Sequence, residues 1–314
     1  MIYTVTLNPA VDKELVVPAI EFDTVLRSQA IHVDCGGKGF NVSRLLMSLD
    51  TPSVALGFAG GNSGKLLQEG LSALGIATEF VWVDGETRTN VSIVCTAASQ
   101  YIKVNEPGPT ISAHDLDLLK QKVRTLAKPG DWWILAGSLP PGAPVNIYAD
   151  LIQEIQKVQA NVILDTSGEA LQHGCGARPF LAKPNDAEAH NLTGLPVNDI
   201  GQIATAAQAI QATGVQNVVI SLGKAGALLI ETDHVWHAET PVIKESNPIG
   251  AGDSMVGGLV WALNRELPIA DALVWGIACG AATASLPGTA VGTKELIESL
   301  HAQVKLHPLK ALAH

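Results

Sequence analysis

Asn247-Pro-Ile-Gly250-Ala-Gly-Asp253, followed by Ser254-Met-Val-Gly-Gly258, is a run of small residues closed by an acid. The acid opens a segment, 253–263, that is apolar at near-helical spacing. A glycine turn entering a helix leaves the first backbone N–H groups without partners, and the helix dipole adds positive charge there. Such a terminus holds an anion, most often phosphate. With Asp253 at its mouth the stretch suits phosphoryl transfer to an alcohol. The carboxylate takes the hydroxyl proton as general base, while the amides of Gly250, Ala251 and Gly252 hold the charge that builds on the transferred group. The same residues also describe an acid capping a helix after a glycine loop. Alone, the stretch does not choose between the two.

A second stretch, Gly36-Gly37-Lys38-Gly39-Phe40-Asn41-Val42-Ser43-Arg44, supplies what the first lacks. It is again a glycine turn running into an amphipathic segment, 42–49, but here the loop carries a cation and an amide, suited to sugar hydroxyls and phosphate. Neither stretch has the P-loop spacing, and neither fits the dinucleotide fingerprint in its strand-turn-helix context.

Together the two stretches resemble the two signatures of the ribokinase-like (PfkB) carbohydrate kinases. Thr4-Val-Thr-Leu-Asn8-Pro9-Ala-Val-Asp12 and Thr87-Arg88-Thr-Asn90-Val91 resemble its phosphosugar branch, as do Gly137-Ser138-Leu-Pro-Pro-Gly142, Lys183-Pro-Asn185-Asp-Ala-Glu188 and Ser221-Leu-Gly223-Lys-Ala-Gly226-Ala. The likeness runs from residue 1 to about residue 305, in family order. It implies a three-layer α/β/α domain with a mostly parallel sheet and a small β-sheet lid. It also implies ATP- and Mg²⁺-dependent phosphorylation of a ketohexose monophosphate. Fructose 1-phosphate is the first acceptor, with tagatose 6-phosphate and fructose 6-phosphate as alternatives. By the same resemblance Asp12, Gly37, Lys38 and Asn41 bind the sugar, and Arg88, Asn90, Arg27 and Ser138 its existing phosphate. Lys183, Asn185, Ser221, Gly223, Gly226, Gly280 and Gly288 shape the nucleotide site, and Glu188 organises Mg²⁺ through water. This chain departs from the pattern at Pro248, where the family usually has Thr, and at Asn247. A sensor that kept the fold without catalysis is the competing class, but a sensor has no need of Asp253 beside an intact Gly-Ala-Gly.

Composition agrees with a sheet covered on both faces. Of 314 residues only 16% are charged and 47% are apolar. The net charge of −10 argues against nucleic acid or an anionic membrane as partner. Anionic substrates must then be met by local cations. Cys35, Cys95, Cys175 and Cys279 lack metal-ligand spacing and read as reduced thiols of a cytoplasmic protein, with Cys35 a packing filler. The uncharged run from Ala272 is too short to cross a bilayer, and residue 1 leads directly into a strand with no leader.

Along the chain, strands are expected at 2–7, 53–58, 78–83, 132–136, 162–165 and 218–221. They alternate with helices at 41–49, 64–74, 113–126, 145–158 and 200–212, which makes parallel βαβ units. Asp12 is expected just past the first strand, where open sheets hold ligands. Gly57-Phe-Ala-Gly60-Gly61-Asn62 reads equally as a substrate-facing turn or a plain helix start. Trp132 and Trp133 are expected to pack on opposite faces of one strand. A hairpin at 228–231 and 235–238, helices at 253–263, 270–285 and 294–304, and a tail with little pattern complete one domain, 1–314.

Short β-type runs at 15–20, 29–33, 89–96 and 101–104 lack crossover helices and are expected to form the lid, from segments 13–35 and 86–105. Its Val16, Val17, Ile93 and Val94 need cover, which a second lid would give in a two-fold homodimer.

Overall fold

Every residue of β1 (Ile2–Thr6) is buried, as expected of a strand covered on both faces. The computed structural model describes residues 1–95, 100–232 and 234–309. Thr96, the hairpin turn at Asp233 and the tail beyond 309 lie outside the described residues.

After β1 the chain makes β2 (Ala10–Val16) and β3 (Ala30–Gly36), then α1 (Lys38–Ser48), β4 (Val54–Ala59), α2 (Gly61–Ala73) and β5 (Ala77–Trp82). It next forms β6 (Arg88–Cys95) and β7 (Gln100–Asn105). The alternating stretch runs α3 (Ala113–Leu126), β8 (Trp132–Ala136), α4 (Ile147–Gln156), β9 (Asn161–Asp165), α5 (Gly168–Gly176) and β10 (Leu181–Ala182). It continues with α6 (Asp186–Thr193), α7 (Ile200–Gln211) and β11 (Asn217–Ser221). The last part is β12 (Ala227–Ile230), β13 (Val235–Glu239), α8 (Ala251–Leu263), α9 (Ile269–Ala284), α10 (Lys294–His301) and β14 (Lys305–Leu309).

Ten strands form the main sheet, in the order β5-β4-β1-β8-β9-β10-β11-β12-β13-β14. Pairing is parallel from β5 to β11 and antiparallel from there to β14. The chain winds outward from β1 to β4 and β5, then returns to β8 on the other side. Ligands bind beyond the carboxyl ends of strands at such a reversal. One face packs on α3, α4, α5 and α7, the other on α1, α8 and α9. Trp133 joins the first face, stacked on Tyr3 at 4.3 Å, and Trp132 the second, as expected. Among the described residues no helix is long and apolar enough to cross a membrane.

A second, four-stranded sheet has the order β3-β2-β6-β7. It differs from expectation at its start. Strand β2 begins at Ala10, so Asp12 lies inside it, paired in register with Asn90 of β6 and Asp34 of β3, and not in a turn after β1. Its apolar face also differs. Val17 is buried and Val16, Ile93 and Val94 are half-buried; Ile31, Val33 and Val104 are uncovered on one face and Tyr101 on the other. The tail also departs from expectation, because β14 extends the main sheet beside β13.

Candidate active site

Gly250 enters α8 with φ 80°, a left-handed conformation that glycine adopts without strain, and no side chain caps the helix. The amide of Ala251 closes a turn onto the Pro248 carbonyl at 3.2 Å. Of the three amides expected to form the anion hole, that of Ala251 is therefore engaged in the turn. With Ala251 engaged, the first-turn amides of Gly252 and Asp253 precede the first helical bond, Ser254 to Gly250 at 2.8 Å, and are free donors beside that of Gly250. Pro248 costs one donor but supplies the carbonyl that shapes the turn.

Asp253 is 8% exposed and accepts a hydrogen bond from Asn41 Nδ2 at 2.8 Å. Burial, together with the nearby Asp165 charge, pushes its carboxyl up to about 6, although Lys38, Asn41 and Lys183 pull the other way. Asn41 reaches it because α1 starts at Lys38, three residues earlier than periodicity suggests, which puts Lys38 and Asn41 on the first turn behind Gly37. The two glycine stretches, 212 residues apart, meet at this bond.

Asp165, which sequence reasoning passed over as a strand end, organises the cations. It is 1% exposed, and its Oδ1 accepts from Lys38 Nζ at 3.1 Å and lies 3.3 Å from Lys183 Nζ. Burial alone would raise its carboxyl; Lys183 and then Lys38 outweigh that and hold it below the ordinary range. Burial would likewise pull Lys38 down, but Asp165 and then Asp253 hold it above the usual lysine value. Lys183 lies just beyond β10, with Nζ close to Gly252. The signal that could have found Asp165 is a lone acid at the carboxyl end of an apolar strand.

A cleft of about 960 Å³ opens beside the α8 entrance, large enough for a nucleotide. Asn185, Ser221, Gly223, Gly226 and Gly280 line it, together with Ala251, Gly252 and the apolar Met255 and Ile277. Gly288 is not among the lining residues; its carbonyl accepts from Asn247 Nδ2 at 2.7 Å. Glu188 forms a capping box with Asn185, its Oε2 accepting the Asn185 amide at 2.9 Å and its own amide donating to Asn185 Oδ1 at 2.7 Å. Among the described residues no three His, Cys, Asp or Glu side chains converge on one point. Mg²⁺ needs no such cage, since it keeps much of its water and takes one or two carboxylates plus phosphate oxygens. The second oxygen of Glu188, near enough for its charge to act on Lys38, fits that role.

On the sugar side Asn90 Nδ2 donates to Asp12 Oδ1 at 2.8 Å. Gly36 faces this carboxylate, and a Cβ there would collide with it. The expected phosphate grip is dispersed. Arg88 spends its fork on backbone carbonyls: Asn8 at 2.9 and 3.2 Å, Pro9 at 3.4 Å and Glu106 at 3.2 Å. Arg27 and Ser138 are exposed, Arg27 in the segment joining β2 to β3.

Comparison with known proteins follows the same lines. Residues 5–296 match the family described as pfkB family carbohydrate kinase. A 1-phosphofructokinase of Bacillus subtilis is 35% identical over 306 residues, 98% of this chain and 99% of the relative. One from Haloferax volcanii is 35% identical over 312 residues, 97% of this chain and 98% of the relative. The structure of phosphofructokinase-2 from Escherichia coli in complex with potassium superimposes with a TM-score of 0.92 at 30% identity, covering 96% of this chain and 98% of that one.

Proposed function

The chain belongs to the pfkB family of carbohydrate kinases, and on that premise we propose that it transfers the γ-phosphoryl group of ATP to the C6 hydroxyl of fructose 1-phosphate. The products are fructose 1,6-bisphosphate and ADP. The observation that carries this is the buried Asp253 at an uncapped helix entrance beside a nucleotide-sized cleft, with Asn41 of the other glycine stretch on its carboxylate.

The acceptor hydroxyl gives its proton to Asp253 as its oxygen attacks the γ-phosphorus, and the bond to the β-phosphate oxygen breaks. A base lifted to about 6 is ionised at neutral pH yet basic enough to accept a proton in the transition state. The Gly252 and Asp253 amides and Lys183 receive the charge on the transferred group, and Asp165 keeps Lys183 and Lys38 aimed there. Asn41 fixes the carboxylate, and Asp12 with Asn90 holds sugar hydroxyls. Mg²⁺, when bound beside Glu188 through water, neutralises phosphate charge. Arg27, together with the two N–H groups Arg88 keeps, meets the sugar's existing phosphate as the second sheet closes.

The second sheet's exposed Ile31, Val33 and Val104, which the strand register puts on one face, support a homodimer in which two such sheets cover each other. Light scattering at micromolar protein that gave 32.8 kDa with full activity would overturn it. All four cysteines are unpaired, which suits the reducing, ATP-rich cytoplasm.

The deciding experiment is kcat/KM with ATP and each of fructose 1-phosphate, tagatose 6-phosphate and fructose 6-phosphate. The first should be preferred; a higher value for another would reassign the acceptor. Binding without turnover would leave a sensor.

A further inference from the structure

A line of hydrogen bonds joins the second sheet to the anion-binding turn without passing through either substrate site. Asp34 of β3 lies in register with Asp12. Its Oδ2 accepts the Thr289 hydroxyl at 2.6 Å, while its Oδ1 faces Arg44 at 3.9 Å. Next to Thr289, the Gly288 carbonyl accepts from Asn247 Nδ2 at 2.7 Å, and Asn247 Oδ1 accepts the Ile249 amide at 3.0 Å. An amide side chain does both, since it carries a donor and an acceptor on one planar group. Pro248 then accepts from Ala251 and sets the start of α8. Otherwise the second sheet rests on α1 and α2.

We propose that Thr289 and Asn247 are positioning residues that tie the sugar-side sheet to the anion-binding turn, so that each substrate strengthens binding of the other. The inference rests on the kinase reading. A sugar held by Asp12 and Asn90 fixes β2 and β6 and, through the β2–β3 pairing, Asp34. Asp34 then fixes the 288–289 turn, and Asn247 carries that constraint to the loop whose amides hold the γ-phosphate. The coupling is reciprocal, because linkage gives each ligand the same effect on the other. The 2.6 Å bond to an ionised acceptor is the strongest link and the one to cut.

The test is calorimetric titration with a non-hydrolysable ATP analogue and Mg²⁺, with and without fructose 1-phosphate. The parent enzyme and the Thr289→Val, Thr289→Ser and Asn247→Ala variants are compared. In the parent, sugar should tighten nucleotide binding by roughly 5-fold or more. Thr289→Val, which keeps the shape and loses the hydroxyl, should bring that factor close to one while each ligand alone still binds. Asn247→Ala should do the same, and Thr289→Ser should retain the coupling. A parent without synergy, or a Thr289→Val variant that keeps it, overturns the inference even with turnover intact. A parent that neither binds nor phosphorylates fructose 1-phosphate overturns the functional reading and this inference with it.

Discussion

Helices α2 and α8 are entered alike: each follows a glycine N-cap, and neither has a side-chain cap on its first turn. At α2 the Asn62 and Ser63 amides, each at 3.0 Å, donate to the two oxygens of Glu86, a carboxylate of the same chain. Those bonds, Ser63 first and then Asn62, hold Glu86 below its ordinary range. At α8 Ala251 and Gly252 line the cleft, and the nearby carboxylate, Asp253, accepts from Asn41 instead and is pushed up to about 6. One entrance is filled by a carboxylate of the fold; at the other no side chain of the described residues accepts from the first-turn amides. What the chain itself places on the amides of an uncapped helix start separates a structural anion site from a chemical one.

The comparison breaks first at Asp253. Asp253→Asn should lower kcat by at least about 10²-fold while both ligands still bind, because only proton removal is lost. Turnover within a few-fold of the parent would return Asp253 to the role of a cap. In the parent, kcat/KM should fall as pH drops through about 6, where Asp253 takes up a proton. Stability should move the other way. A carboxyl raised from 3.8 to about 6 stabilises the fold below its unfolded value and loses that contribution as pH rises through 6. The charge then costs roughly 3 kcal/mol at neutral pH, so Asp253→Asn should melt higher than the parent at pH 7.5. An unchanged or lower melting temperature would mean the carboxylate is not strained by burial.

The next effect concerns the cations facing the open entrance. Lys183→Met removes a side chain only 4% exposed and leaves Asp165 with Lys38 alone, at a cost of about 3 kcal/mol in stability. Lys38 is 39% exposed, so Lys38→Met should cost clearly less stability while still depressing turnover. Equal losses in melting temperature would show that Asp165 does not discriminate between its partners.

How much was readable follows the same division. Backbone-built features were legible: the glycine entrances, the alternating strands and helices, and the turns at Ser221 to Gly226, because a local residue pattern dictates them. Side-chain geometry was not. Asp165 has no local pattern, and its meaning depends on two lysines brought in from other elements. Arg88 read as a phosphate grip because its type suits one, but the neighbouring carbonyls that engage it come from Asn8, Pro9 and Glu106. Helix α5 escaped because Gly168, Gly174 and Gly176 disfavour a helix that packing of Leu171 and Cys175 imposes. Strand β10 has two residues, too few for any period.

A smaller effect is expected at Arg88. Loss of its fork in Arg88→Ala should lower stability by about 1–3 kcal/mol and raise KM for the phosphosugar more than for ATP. Arg88→Lys separates the two jobs, since a lysine keeps the charge but lacks the planar fork that spans these three carbonyls. If Arg88→Lys restores KM and not the melting temperature, the side chain serves both the fold and the sugar phosphate. If it restores neither, the carbonyl clamp is the whole role.

The smallest catalytic effect belongs to the filled entrance. Glu86 is exposed and far along the chain from the transfer residues, so Glu86→Ala should leave kcat and both KM values close to those of the parent. What changes is the fate of the Asn62 and Ser63 amides. With the carboxylate gone they are unpaired donors at a positive helix end, the state α8 already has. The variant should therefore melt lower than the parent in chloride and regain more of that loss in sulfate than the parent gains, because sulfate takes the place of the missing carboxylate. Melting curves at matched ionic strength in the two salts measure this directly. If Glu86→Ala and the parent respond equally to sulfate, the α2 entrance is not an anion site even when opened. The resemblance between the two helix starts would then be one of glycine content alone.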